Sequence, residues 1–213
     1  MDKSEKVGFL YINGLGDGKT TFKDRVVKWW WGRAGLDIEH MHIDWYDGIS
    51  LANKLAAVEQ KITDMLRSFD AVAIIGSSAG GSLAINVFHR LSDRNVCAVS
   101  AHGRLAAGEY KEGSRKSLYR RAHLGTDRPS QAFFESVTIA ETKTVPSLTE
   151  EEKKRILVLT QLTDMVVPLE TMTIDGVRQH RSITLGHTGG FVAHMLADRD
   201  LISDFAQERL LRP

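Results

Sequence analysis

With 213 residues, 28 basic against 27 acidic side chains and a net charge of +1, the chain can bury one sizeable core. It has no charge excess that would recruit nucleic acid or an anionic membrane surface. No apolar stretch is long enough to span a bilayer, and a single cysteine excludes an internal disulfide. No repeat, low-complexity tract or linker divides the chain, so a single domain over 1–213 is expected. Its polar start, Met1-Asp2-Lys3-Ser4-Glu5-Lys6, makes a cytoplasmic location the default.

Strand-like and helix-like patterns alternate along the chain. Val7 to Ile12 is a first apolar strand, followed from about Thr20 by a helix with Phe22, Val26 and Trp29 or Trp30 on one side. Ile38 to Trp45 reads as a second strand, less apolar and so nearer a sheet edge. Leu51, Leu55, Val58, Ile62, Met65 and Phe69 mark an amphipathic helix capped by Ser50. Ala71-Val72-Ala73-Ile74-Ile75 is apolar throughout, as a central parallel strand covered on both faces must be. Leu83, Ala84, Val87, Phe88 and Leu91 then recur at helical spacing.

Val96 to Ala101 is a fourth strand, with Cys97 read as a buried strand thiol. Gly103 to Lys154 is too long for an ordinary connection, and carries Lys111, Arg115, Lys116, Arg120, Arg121, Pro129, an Ala132-Phe133-Phe134 patch and a charged helix start at Thr149. It reads either as a small helical lid or as a crossover helix with a long loop; the charges from Glu150 to Arg155 read as a solvated helix end. Ile156 to Leu162, a short strand Ser182 to Leu185 and a helix from about Phe191 to Leu211 complete the order. The expected fold is α/β, a mostly parallel sheet of about six strands with helices on both faces.

Between the Ala71 strand and the helix that follows lies Gly76-Ser77-Ser78-Ala79-Gly80, a match to G-x-S-x-G in its proper strand-turn-helix setting. A serine at the tip of that turn projects its Oγ above the sheet, and the flanking glycines let strand and helix approach closely. A serine hydroxyl needs a base to take its proton, and the base needs a carboxylate to orient it. Asp164 follows the Ile156 strand, and His187 follows Ile183-Thr184-Leu185-Gly186; both stand where the carboxyl ends of parallel strands converge. His194, within the last helix, is the rival base and Asp175 the rival acid. His40 and His42 share one strand face but lack a carboxylate or cysteine, so no metal site and no cofactor is expected. Backbone donors for a developing oxyanion are expected from Ala79 and from the Gly14-Leu15-Gly16-Asp17-Gly18 loop, at Leu15.

These residues resemble the α/β-hydrolase superfamily: the order Ser78, Asp164, His187 is that family's order, and the alternation of elements covers the whole chain. The Gly14-Leu15-Gly16-Asp17 loop with Gly76-x-Ser78-x-Gly80-Gly81 is similar to acyl-protein thioesterases and related carboxylesterases. Asn13 stands where that loop commonly has histidine, and two opening strands of the full fold are missing, so the resemblance implies a minimal version. It further implies acyl transfer to Ser78 and hydrolysis of the acyl enzyme. The substrate would be a small or acylated ester, thioester or amide, with an ester favoured. Asn13, Gly14, Trp45, Tyr46, His102 and Arg104 would line the pocket. Two other readings compete. Asn13-Gly14-Leu15-Gly16-Asp17-Gly18-Lys19-Thr20 comes within one residue of a phosphate-binding G-x-x-x-x-G-K-[ST] loop, and a hydrolase-like chain can also be an inactive binding module.

Overall fold

The computed structural model describes residues 6–106, 130–164, 166–185 and 187–211, with the backbone alone at 183–185 and 187–191. Six parallel strands form one sheet: β1 (Val7–Ile12), β2 (Ile38–Met41), β3 (Ala71–Ser77), β4 (Val96–Ala101), β5 (Ile156–Thr163) and β6 (Arg178–Leu185), ordered β2-β1-β3-β4-β5-β6. The order follows from the sequence pattern. β3 and β4 are buried at every residue and take the centre, whereas half-buried β2 lies at an edge. Pairing of Ile12 with Gly76 and of Ser77 with Ala101 brings the carboxyl ends of β1, β3 and β4 to one level.

Side chains alternate across the sheet and so define two cores. Leu10, Ile12, Val72, Ile74, Val96 and Ala98 face one layer, packing with helices α2 (Leu51–Met65), α3 (Ala79–Arg90) and α4 (Gln131–Ile139) through Val58, Ile62, Leu83, Phe88 and Phe133. Phe9, Tyr11, Ala73, Ile75, Cys97 and Val99 face the other layer, where α1 (Phe22–Gly32) contributes Val27 and Trp31, and Ile202 and Phe205 come from the C-terminal helix. Each large side chain so buried contributes roughly 1.5–3 kcal/mol. Burial pushes the Cys97 thiol up to about 12, which keeps it protonated and inert.

Several elements differ locally from the sequence pattern. On α1 the buried residues are Asp24, Val27 and Trp31, while Phe22 and Trp29 are exposed. The capping box of Thr21 and Asp24 starts the helix at Phe22 and turns that face inward. Trp30 and Trp31 then donate their indole N–H groups to the carbonyls of Leu196 and Met195. β2 ends at Met41 rather than Trp45, and β6 begins at Arg178 rather than Ser182. The final helical pattern divides at Asp198 into two helices, His187–Ala197 and Arg199–Leu210.

Between β4 and β5 the described residues form α4, a π-helical turn (Ala140–Thr144), one further turn (Val145–Ser147) and α5 (Glu150–Lys154). This segment is packed on α3 by buried hydrogen bonds from Asn86 to the Ser136 carbonyl (2.9 Å) and from Thr144 to Asn86 Oδ1 (2.8 Å). The basic stretch through Lys111 and Arg121, and Pro129, lie outside the described residues. The Glu150 to Arg155 charges are not merely a solvated helix end. Glu152 is buried, closes a capping box on Thr149 and bonds His89 of α3 at 2.9 Å. No described helix is long and apolar enough to cross a membrane.

Candidate active site

β3 ends at Ser77 and α3 begins at Ala79, leaving Ser78 at φ 50°, ψ −116° on the turn between them. An L-residue at positive φ stores strain and persists only where its surroundings enforce it. Here the Ser78 N–H donates to the Ala101 carbonyl (2.9 Å) and the Ser78 carbonyl accepts from Gly81 N–H (2.9 Å). The glycines permit the convergence. A Cβ on Gly76 would lie 2.1 Å from the Gly80 carbonyl oxygen, and one on Gly80 would lie 2.6 Å from the carbonyl oxygens of both Ile12 and Asn13. Neighbouring Ser77 is held through its Oγ to the Tyr11 hydroxyl at 2.8 Å.

The loop after β1 passes beside Ser78, with Gly14 so close that a Cβ there would be 3.1 Å from the Ser78 Cβ. It is pinned from the β2 side. The Asn13 carboxamide accepts from the Ile43 N–H and donates to the Ile43 carbonyl (3.1 Å), and Gly16 carbonyl accepts from Trp45 N–H (3.0 Å). Asn13 therefore extends the β1–β2 pairing through its side chain, and in doing so fixes the path of Gly14 and Leu15. Leu15 and Ala79 line the same cavity as Ser78.

Asp164 follows β5 and is buried, its side chain fully enclosed. Its Oδ1 accepts from the N–H groups of Val166 (2.7 Å) and Val167 (2.9 Å), and its Oδ2 from the Gln161 amide (2.7 Å). Three fixed N–H donors stabilise its negative charge and set its orientation. His102, at φ 53° directly after β4, brings Nδ1 to 3.8 Å from Asp164 Oδ2 and its ring to 4.6 Å from that of His194. His194 is buried within the helix His187–Ala197 and bonded to Asp198; burial pushes its pKa down against the pull of that carboxylate. The backbone puts His187 at the first residue of that helix, two positions beyond the end of β6 and on the same rim as Ser78, but its side chain lies outside the described residues. Asp175, the rival acid, is exposed and precedes β6, at the opposite rim of the sheet.

A cavity of about 420 Å³ opens over Ser78. Of the residues named from the sequence for the pocket, Asn13, Gly14, His102 and Arg104 line this cavity, with Phe133, Val166 and Val167 supplying apolar wall. Trp45 and Tyr46 are not among its lining residues. Trp45 is 1% exposed and packs edge-on against Phe133 with their centroids 6.0 Å apart, while Tyr46 rests against the same core, because the chain turns inward after the short β2. Asp24 and His42 do line the cavity, which sequence reasoning missed. A capping-box aspartate and a His-x-His strand were each visible, but nothing in the chain order joined them. His40 joins them here, its Nδ1 3.7 Å from Asp24 Oδ1, with burial holding its imidazole down to about 4.

No protein-family model and no curated protein matches the sequence. Among solved structures the chain is similar to a pyrethroid hydrolase, PytH, at 14% identity and TM-score 0.64, over 95% of this chain and 98% of that one. A structure of the metagenome-derived lipolytic enzymes LipS and LipT gives 14% identity and TM-score 0.61, over 98% and 95% of the two chains. A monoacylglycerol lipase from Paleococcus ferrophilus gives 12% identity and TM-score 0.56, over 93% and 94%. Together with the strand order and the sharp turn at Ser78, these likenesses establish that the chain has the α/β-hydrolase fold.

Proposed function

We propose that the chain is a serine hydrolase of small carboxylic esters, in which Ser78 is the nucleophile, His187 the base and Asp164 the carboxylate that orients it. The observation that carries this reading is the strained φ of Ser78 at the mouth of a cavity, on a turn that two glycines alone make possible. Asp164, ordered by three N–H donors at the end of β5, supports the acid role; the backbone position of His187 just after β6 supports the base. The lipolytic enzymes, lipase and pyrethroid hydrolase that share the fold point to the same substrate class.

In the proposed cycle Ser78 Oγ attacks the ester carbonyl as His187 takes its proton. The oxyanion that forms is met by the N–H groups of Leu15 and Ala79, the tetrahedral intermediate collapses as His187 protonates the leaving alcohol, and water repeats the sequence on the acyl enzyme. Loss of one such backbone donor costs on the order of a hundredfold or more in rate. The apolar wall of Leu15, Phe133 and Val167 suits a short acyl group, and buried Arg104 lines the same cavity. A nucleotide site in the Asn13–Thr20 loop is disfavoured. The helix begins at Phe22 behind Thr21 rather than at Thr20, and Lys19 is spent on Asp17 at 2.7 Å.

A fluorophosphonate serine probe tests the reading. Labelling of the wild type that is abolished in Ser78→Ala is expected; no labelling overturns it and favours an inactive binding module, and labelling that survives the substitution overturns it by moving the nucleophile to another residue. Removing the base in His187→Ala should lower kcat/KM by about 10³ or more, whereas His102→Ala should lower it far less. The reverse order would transfer the base role to His102.

A further inference from the structure

We propose that Asp24, His40 and His42 form a binding site for one divalent first-row transition ion of borderline softness, Zn²⁺ being the best match, at the wall of the cavity that Ser78 also lines. One carboxylate oxygen and two imidazole nitrogens, drawn from the first turn of α1 and from the end of β2, all lie within 4.8 Å of one another. Ligands on a tetrahedral ion with bonds of about 2.0–2.2 Å are separated by roughly 3.3–3.5 Å, so shifts of about an ångström close the set. One edge of that tetrahedron is almost in place. His40 Nδ1 and Asp24 Oδ1 stand 3.7 Å apart, too far for a hydrogen bond and close to the spacing of two donors on one ion.

The surroundings are those of a built site. The His40 side chain is only 9% exposed, and the nitrogen it turns toward Asp24 is Nδ1. Asp24 is oriented by the Thr21 hydroxyl on its other oxygen at 2.7 Å, as a second shell orients a ligating carboxylate. His42 is half-buried and, like Asp24, faces the cavity, so the fourth coordination position would open toward it. Two nitrogens and one oxygen suit Zn²⁺, Co²⁺ or Ni²⁺; Ca²⁺ and Mg²⁺ require six or more oxygen ligands, which this set does not offer.

The test is titration of the chelator-stripped, untagged full chain with Zn²⁺ by calorimetry and with Co²⁺ by its visible absorption. One equivalent is expected to bind, with affinity lowered at least tenfold in His42→Ala and in Asp24→Asn. His42 is partly exposed, and an asparagine at position 24 keeps an amide oxygen that can accept the Thr21 N–H in the capping box, so both variants should retain the fold, checked by their thermal midpoints. Ser78→Ala should bind the ion as the wild type does, which separates this site from the hydrolase reading. Absence of binding by the wild type overturns the proposal, as does binding unchanged in both variants or lost instead in His102→Ala.

Discussion

The two walls of the cavity are built on opposite principles. On the central wall, β3, the Ser78 turn and α3 are contiguous in sequence; the first turn of α3 leaves no room for a Cβ at Gly76, the end of β1 leaves none at Gly80, and the Ala101 carbonyl of β4 holds the Ser78 N–H. On the edge wall, α1 and the short half-buried β2 bring Asp24, His40 and His42 together from separate elements, with exposed Phe22 and Trp29 nearby on the same helix. Rigidity comes from the buried centre, while the edge is held by side-chain bridges such as the Asn13 amide on Ile43. A fixed serine turn thus shares its cavity with a wall whose chemistry depends on how two peripheral elements dock.

Substitutions can break or sharpen that contrast. The largest effect is expected at the centre: Ser78→Ala should reduce ester turnover by about 10³ or more while leaving the thermal midpoint within a few degrees of the wild type. Gly80→Ala comes next. The added Cβ meets two carbonyl oxygens at 2.6 Å, and neither can yield without parting β1 from α3, so unfolding by denaturant should show a loss of about 3 kcal/mol.

Glu152 ties the crossover segment to the central wall through His89 and carries a pH signature. Burial alone would raise its carboxyl, but hydrogen bonds from Thr149, Ser92 and His89 outweigh it and hold the pKa at about 2 against an ordinary 4.5. Since the folded-state value is depressed, its contribution is present above about pH 4.5 and lost as pH falls toward about 2. Denaturant midpoints measured across that range should fall more steeply in the wild type than in Glu152→Gln; equal slopes would refute the assignment.

Smaller effects probe the boundary between the walls. Tyr11 bonds Ser77 on one side and sets its ring edge-on to His40, 5.1 Å between centroids, on the other. Tyr11→Phe should cost about 1–2 kcal/mol by leaving the buried Ser77 hydroxyl without this partner. At the end of α1, by contrast, a Cβ on Gly32 meets nothing within 4 Å, so Gly32→Ala should stabilise by about 0.5 kcal/mol. The same exchange, glycine to alanine, is expected to have opposite signs at the centre and the edge.

The sequence carried the central wall almost completely. Unbroken apolar runs marked β3 and β4, helical spacing marked α3, and G-x-S-x-G between them located the turn, because all three signals are local and reinforce one another. The position of Asp164 directly after β5 was legible for the same reason, from the apolar run that opens at Ile156. Periodicity failed where a neighbour decided the outcome. The apolar residues of α1 offer two nearly equivalent faces, and docking against Met195 and Leu196 chose Trp31 over Trp29. Trp45 stood at the end of the second strand pattern, where a pocket residue could sit, yet it packs on Phe133 in the core.

What the sequence determined by itself is the alternation of elements, the parallel sheet and the serine turn, since each follows from hydrophobic periodicity and glycine sterics within a few consecutive residues. The tertiary structure alone decided which helix face is buried, that Asn13 serves as a strand extension, and that Asp24 meets His40 and His42. Those outcomes depend on distances between residues far apart in the chain, and such distances exist only once the sheet and its helices have packed.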